Sequence, residues 1–191
     1  KGLITSIIGP NGSGKTTLIN ALSGMVEIDG GHLIIDGIKI DKIKSHDIAF
    51  YGLTRTFQDA RLFNQMTVLD NLLVVLTERN VFGALFDKHT QYHLEQVERI
   101  LSKIGLWDKR DQLAINLSYG QRKLLEIGRT LAMDREIHPH TKRELVSGTQ
   151  EKNNSRYGVR VYLFDEPFAG LFPEMVRIIS SIIKELKNSG K

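Results

Sequence analysis

The sequence predicts an α/β fold, and three observations carry that reading. The apolar stretch Leu3-Ile4-Thr5-Ser6-Ile7-Ile8 runs into the glycine-rich loop Gly9-Pro10-Asn11-Gly12-Ser13-Gly14-Lys15-Thr16-Thr17, and then into the helical pattern Leu18-Ile19-Asn20-Ala21-Leu22. A second apolar stretch, Val161-Tyr162-Leu163-Phe164, ends in the carboxylates Asp165-Glu166. Between the two lie amphipathic segments of helical period.

The opening strand, loop and helix fit the phosphate-loop pattern G-x-x-x-x-G-K-[ST]. Glycines let the backbone curl so that several N–H groups face one anion, and the helix N-terminus adds partial positive charge. In such a loop Lys15 reaches the β- and γ-phosphates of a nucleotide, and the Thr16 hydroxyl ligates Mg²⁺.

Gly30 to Ile40 reads as a β-hairpin turning at Asp36-Gly37, with His32 a surface strand residue. Asp47 to Phe57 leads to a strand. Thr67 to Leu76 reads as a helix, with Thr67 as N-cap, Asp70 answering it, and Val68, Leu69, Leu72, Leu73 and Leu76 on its apolar face. Phe82 and Phe86 are read as core filling in the next connection. Tyr92 to Ile104 is a helix that buries Val97, Ile100, Leu101 and Ile104 and stops at Gly105. Trp107 packs in the connection to a third helix, from Ser118 to about Met133. The last helix, Pro173 to Lys187, turns Val176, Ile179, Ile182, Ile183 and Leu186 inward.

Composition narrows the function classes. The 191 residues suffice for one domain, or for one core with a lobe inserted into it. There is no cysteine, which excludes disulfides, thiolate metal sites and a cysteine nucleophile. No apolar run spans a bilayer and no signal peptide is visible, so a cytoplasmic chain that reaches a membrane through a partner is expected. The net charge of +4 comes from cations interleaved with acids, and no nucleic-acid partner is expected.

The carboxylate pair suits phosphoryl transfer to water, which needs charge neutralisation, a metal and an aligned nucleophile. Asp165, at a strand end, can hold Mg²⁺, and Glu166, pointing the other way, is the candidate general base. Ser118 and Gly120 open a helix, a natural anion site.

Taken in order, the phosphate loop, Thr56-Phe57-Gln58-Asp59, Leu117-Ser118-Tyr119-Gly120-Gln121 and Val161 to Pro167 resemble the ATP-binding cassette (ABC) ATPases over nearly the whole chain. The loop, the Q-loop, the signature motif and the Walker B strand correspond in turn. Gly52 to Gln58, Arg61-Leu62-Phe63, Met66 to Leu72, Tyr119 and Ala169-Gly170-Leu171 are similar to the branched-chain amino acid importer ATPases.

The resemblance implies a P-loop NTPase core with a β-hairpin subdomain and an inserted helical subdomain. Residues 1–58 and 134–191 would form the core, 59–133 the helical subdomain with the signature motif, and 138–160 a polar surface loop. It implies ATP and Mg²⁺ as cofactors, with Gly9 to Thr17 on the phosphates, Thr16, Gln58 and Asp165 at the metal, and Gln58 and Glu166 in catalysis. Ser118, Gly120 and Gln121 would meet the γ-phosphate held by a second cassette. The other implied partners are membrane permease subunits on the helical lobe and, indirectly, a solute-binding protein, on the inner face of the cell membrane. The alternatives are another ABC transport system or a soluble non-transport ABC ATPase, from whose repair-type members the short separation of Gln58 and Ser118 differs.

Four departures accompany the resemblance. The aromatic that stacks on adenine falls upstream of Lys1, and the switch histidine falls beyond Lys191, so a cassette continuing past both ends is expected. Phe172 replaces the usual Asn or Asp after Ala169-Gly170-Leu171. His138 to Arg160 intervenes before the Walker B strand, where His138 and His140 are read as solvent-exposed rather than as metal ligands.

Overall fold

The computed structural model describes residues 2–35, 37–57, 60–76, 91–134 and 159–191. Its elements are α1 (Lys15–Leu22), β1 (Leu33–Ile35), β2 (Ile38–Ile40), β3 (Leu53–Arg55), α2 (Val68–Leu76), α3 (Gln91–Lys103), α4 (Tyr119–Ala132), β4 (Val161–Leu163) and α5 (Pro173–Asn188). The chain divides into two compact units. One comprises residues 1–55, 135–165 and 186–191, and the other residues 56–134 and 166–185. Expectations for Asp36, Gln58, Phe82, Phe86, His138 and His140 lie outside the described residues.

In the first unit, β1 and β2 pair antiparallel, with Ile35 opposite Ile38, as the hairpin reading requires. His32 is exposed just ahead of β1. β3 and β4 pair parallel, Arg55 opposite Leu163, so both strands end at the same edge. A parallel pair needs a long crossover, and here the chain passes through the second unit between them. Ile19, Ile40, Leu53 and Val159 are buried.

The opening segment corrects the sequence reading. Residues 3–8 form no strand, and Leu3 and Ile8 are 80% and 92% exposed. An apolar run becomes a buried strand only where neighbouring strands accept its backbone groups. The parallel sheet of the described residues has two strands, and neither pairs with this segment. The strand before the carboxylates is also shorter than read: it ends at Leu163, and Asp165 and Glu166 lie beyond it.

The second unit is helical. α2, α3 and α4 pack against one another in pairs. Val68, Leu72 and Leu73 of α2 meet Val97, Ile100 and Leu101 of α3 and Leu124, Leu125 and Leu131 of α4 in the core. Fully burying each leucine contributes about 1.5–3 kcal/mol. Thr67 caps α2 as read, its Oγ1 accepting from the Asp70 N–H at 3.0 Å. Leu69 is only half-buried, whereas Asn71 is fully buried, accepting from the Phe63 N–H and donating to the Phe63 and Thr67 carbonyls. Gly105 ends α3 region with φ 69°. Ile179 and Ile182 of α5 are buried, and Lys103 of α3 pairs with Glu185 of α5.

Candidate functional site

The first unit contains the phosphate loop. Gly12 and Gly14 adopt φ of 82° and 88°, the left-handed region that glycine enters without steric cost. The Ser13 N–H closes back on the Pro10 carbonyl at 3.2 Å. Lys15 begins α1, and its Nζ donates to the Gly9 and Pro10 carbonyls, both at 2.9 Å. Gly14 is the N-cap and no side chain caps the helix, so its first N–H groups and positive dipole end belong to the loop. Asn11, Thr16 and Thr17 sit in the same loop-to-helix turn.

The carboxylate strand delivers Asp165 to that helix. Thr16 Oγ1 donates to Asp165 Oδ1 at 3.4 Å, across a long sequence separation. Asp165 is 3% exposed. Arg55, at the matching end of β3, brings Nη2 to 3.6 Å from Asp165 Oδ2. Its Nη1 donates to Asn20 Oδ1 at 2.8 Å and Ser23 Oγ at 2.6 Å, both at the far end of α1. A buried ion pair holds its geometry when further hydrogen bonds satisfy the charges, and Asn20 and Ser23 supply them here.

Thr16 and Asp165 therefore place a hydroxyl and a carboxylate together beside an uncapped helix N-terminus. Hard oxygen donors of this kind suit Mg²⁺, which takes one or two carboxylates and completes its shell with phosphate and water oxygens. Among the described residues no cluster of three or more His, Asp or Glu forms a metal site by itself. The donor set fits a cation that arrives with a phosphate ligand.

The second unit contains the other named residues. Ser118 caps α4, and its Oγ accepts the Gln121 N–H at 3.4 Å. Gln121 Oε1 accepts the Ser118 N–H at 3.0 Å, completing a reciprocal capping box. Both side chains thus have a local structural partner in addition to any ligand role. Gly120 sits in close approach to α5: a Cβ there would run into the Met175 sulfur and meet Leu171 Cδ2 at 3.3 Å, so the Met175 side chain would have to shift. Phe172 is 76% exposed.

Glu166 is the only non-glycine residue with positive φ among the described residues, at 45°. Its carbonyl accepts from Lys123 Nζ at 2.9 Å and from the Ala169 N–H at 3.2 Å. One turn along α4, Glu126 Oε1 accepts the Phe57 N–H at 2.9 Å, just ahead of Gln58. Burial is the main cause of a raised Glu126 pKa, opposed by the Phe57 and Arg61 N–H groups and by Lys123 and Arg129. Burial also lowers the Arg129 pKa, against the attraction of Glu126.

The structure thus brings together Gly9 to Thr17 with Asp165 in one unit, and Ser118, Gly120 and Gln121 with Glu166 in the other. Sequence reasoning missed Arg55, Lys123 and Glu126, whose partners are distant in sequence. It also missed the capping box, although Ser118 and Gln121 stand at its standard spacing.

Comparison with known proteins agrees with this geometry. Residues 1–138 match the family described as ABC transporter. The high-affinity branched-chain amino acid transport ATP-binding protein LivG of Escherichia coli (strain K12) is 33% identical, over 97% of this chain and 66% of that protein. The high-affinity branched-chain amino acid transport ATP-binding protein BraF of Pseudomonas aeruginosa is 32% identical over the same shares. The chain therefore spans 66% of the length of these curated relatives. The crystal structure of the ADP conformation of MJ1267, an ATP-binding cassette of an ABC transporter, superposes with a TM-score of 0.67 at 34% identity, covering 100% of this chain and 68% of that one. The phosphate loop beside a buried aspartate, the solved cassette and the family match over residues 1–138 agree, and the chain belongs to the ABC transporter family as an ATP-binding cassette.

Proposed function

We propose that the chain is the ATP-binding and hydrolysing subunit of a transporter that imports branched-chain amino acids. The observation that carries the nucleotide role is the Thr16 hydroxyl at 3.4 Å from the buried Asp165, beside an uncapped helix N-terminus. The solute class rests on the relatives, which are named for branched-chain amino acid transport.

The N–H groups of Gly9 to Thr17 cradle the triphosphate, and Lys15 leaves its loop carbonyls for the β- and γ-phosphate oxygens. Thr16 and Asp165, with Gln58, hold Mg²⁺, which when bound supplies neutralising charge at those oxygens. Glu166 takes a proton from the attacking water. Ser118, Gly120 and Gln121 present the α4 N-terminus to the γ-phosphate held by a second cassette. Permease subunits dock on the helical unit, and a solute-binding protein acts through them. The complex sits on the inner face of the cell membrane, and no helix among the described residues is long and apolar enough to cross it.

Phosphate release and nucleotide titration test this reading. Glu166→Gln is expected to lower turnover by about 10²–10⁴-fold, the usual contribution of a positioned acid or base, with ATP affinity kept. Lys15→Ala is expected to weaken ATP binding by roughly 10- to 100-fold, since hydrogen bonds to charged groups contribute about 1.5–3 kcal/mol. Unchanged turnover in the first variant, or unchanged affinity in the second, refutes the corresponding role.

A further inference from the structure

Glu166 combines an exposed side chain with an unfavourable backbone. At φ 45° it is the one non-glycine described residue in the left-handed region, where an L-residue carries a steric cost. Such a conformation persists only where its surroundings over-determine it, and an observed outlier of this kind is a pointer to function.

The side chain that holds the Glu166 carbonyl is Lys123. This lysine lies in the middle of a helix and is 3% exposed, which is rare for a lysine without a specific partner. Its Nζ donates to the Glu166 carbonyl at 2.9 Å and lies 5.4 Å from the centre of the Tyr119 ring. The same carbonyl takes the Ala169 N–H, so one oxygen closes the turn and receives the lysine. Glu126, three residues on and on the same face of α4, holds the Phe57 N–H ahead of Gln58.

We propose that Lys123 is a positioning residue for hydrolysis: by fixing the Glu166 carbonyl it locks the left-handed turn that aims the Glu166 carboxylate. The proposal rests on the assignment of Glu166 as general base. A lysine buried only for packing predicts something different, namely a lower melting temperature with kcat untouched.

The test compares Lys123→Met, which keeps the apolar stem and removes the donor, with Lys123→Arg and Glu166→Gln in the full chain. Lys123→Met is expected to lower kcat by about 10- to 100-fold, the worth of a hydrogen bond to a charged donor, with ATP Kd unchanged. Lys123→Arg is expected to recover at least part of that loss. In single-turnover measurements Lys123→Met is expected to add no further loss in the Glu166→Gln background, because both act through one carboxylate. If Lys123→Met does not fold, Lys123→Gln, with a shorter donor, is expected to show the same split between kcat and Kd. An unchanged kcat, or losses that multiply with Glu166→Gln, overturns the proposal. Wild-type turnover in Glu166→Gln alone instead overturns the assignment of the base.

Discussion

Two acids adjacent in sequence have opposite surroundings. Asp165 is buried between the Thr16 hydroxyl and the Arg55 guanidinium, while Glu166 keeps its carboxylate exposed on a strained turn. That strain predicts a conflict between stability and activity. Glu166→Gly is expected to raise unfolding stability by about 0.5–1 kcal/mol, since glycine accepts positive φ without clash, while hydrolysis is lost. A urea melt beside a phosphate-release assay checks both, and a destabilised Glu166→Gly contradicts the account of strain. The loop residues and the carboxylate pair were legible in the sequence because each motif is contiguous and its residue types follow from phosphate chemistry. Arg55 and Lys123 were not, since a lone basic residue shows nothing of a carboxylate or carbonyl that only folding brings beside it.

At the scale of elements, α4 is the most informative. Its apolar residues face α2 and α3, its first turn is closed by Ser118 and Gln121, and its buried polar face holds the backbone at Phe57 and Glu166. Burial raises the Glu126 pKa above its ordinary 4.5, so the folded chain holds that proton more tightly than the unfolded one. Its contribution is therefore fully present below the ordinary value and is lost as pH rises through the raised folded value. Glu126→Gln, whose amide oxygen still accepts from Phe57, is expected to lack that fall in urea midpoints measured upward from about pH 4, where ordinary carboxylates begin to ionise. An identical pH profile in the two proteins contradicts this. Helices α2 to α5 were readable because apolar residues recur at helical spacing in each. The failure at Leu3 to Ile8 has the complementary cause: a strand is completed by its neighbours, and apolar character alone does not supply them.

At the scale of the molecule, the phosphate loop with Asp165 belongs to one compact unit, and the signature helix with Glu166 to the other. The function proposed here sets the phosphate loop, Asp165 and Glu166 of one cassette against Ser118, Gly120 and Gln121 of a second, so a chain damaged in the loop can be complemented by a chain damaged in the signature motif. The measurement that tests this most directly mixes Lys15→Ala with Ser118→Arg and follows Mg²⁺-dependent phosphate release. At ATP concentrations well below the weakened Kd of Lys15→Ala, each variant alone is expected to show little turnover. An equal mixture is expected to regain about a quarter of wild-type turnover, because half the pairs in a two-fold assembly are mixed and each mixed pair has one intact site. A mixture as inactive as its components, with wild-type turnover per chain independent of chain concentration, contradicts a site shared between two cassettes.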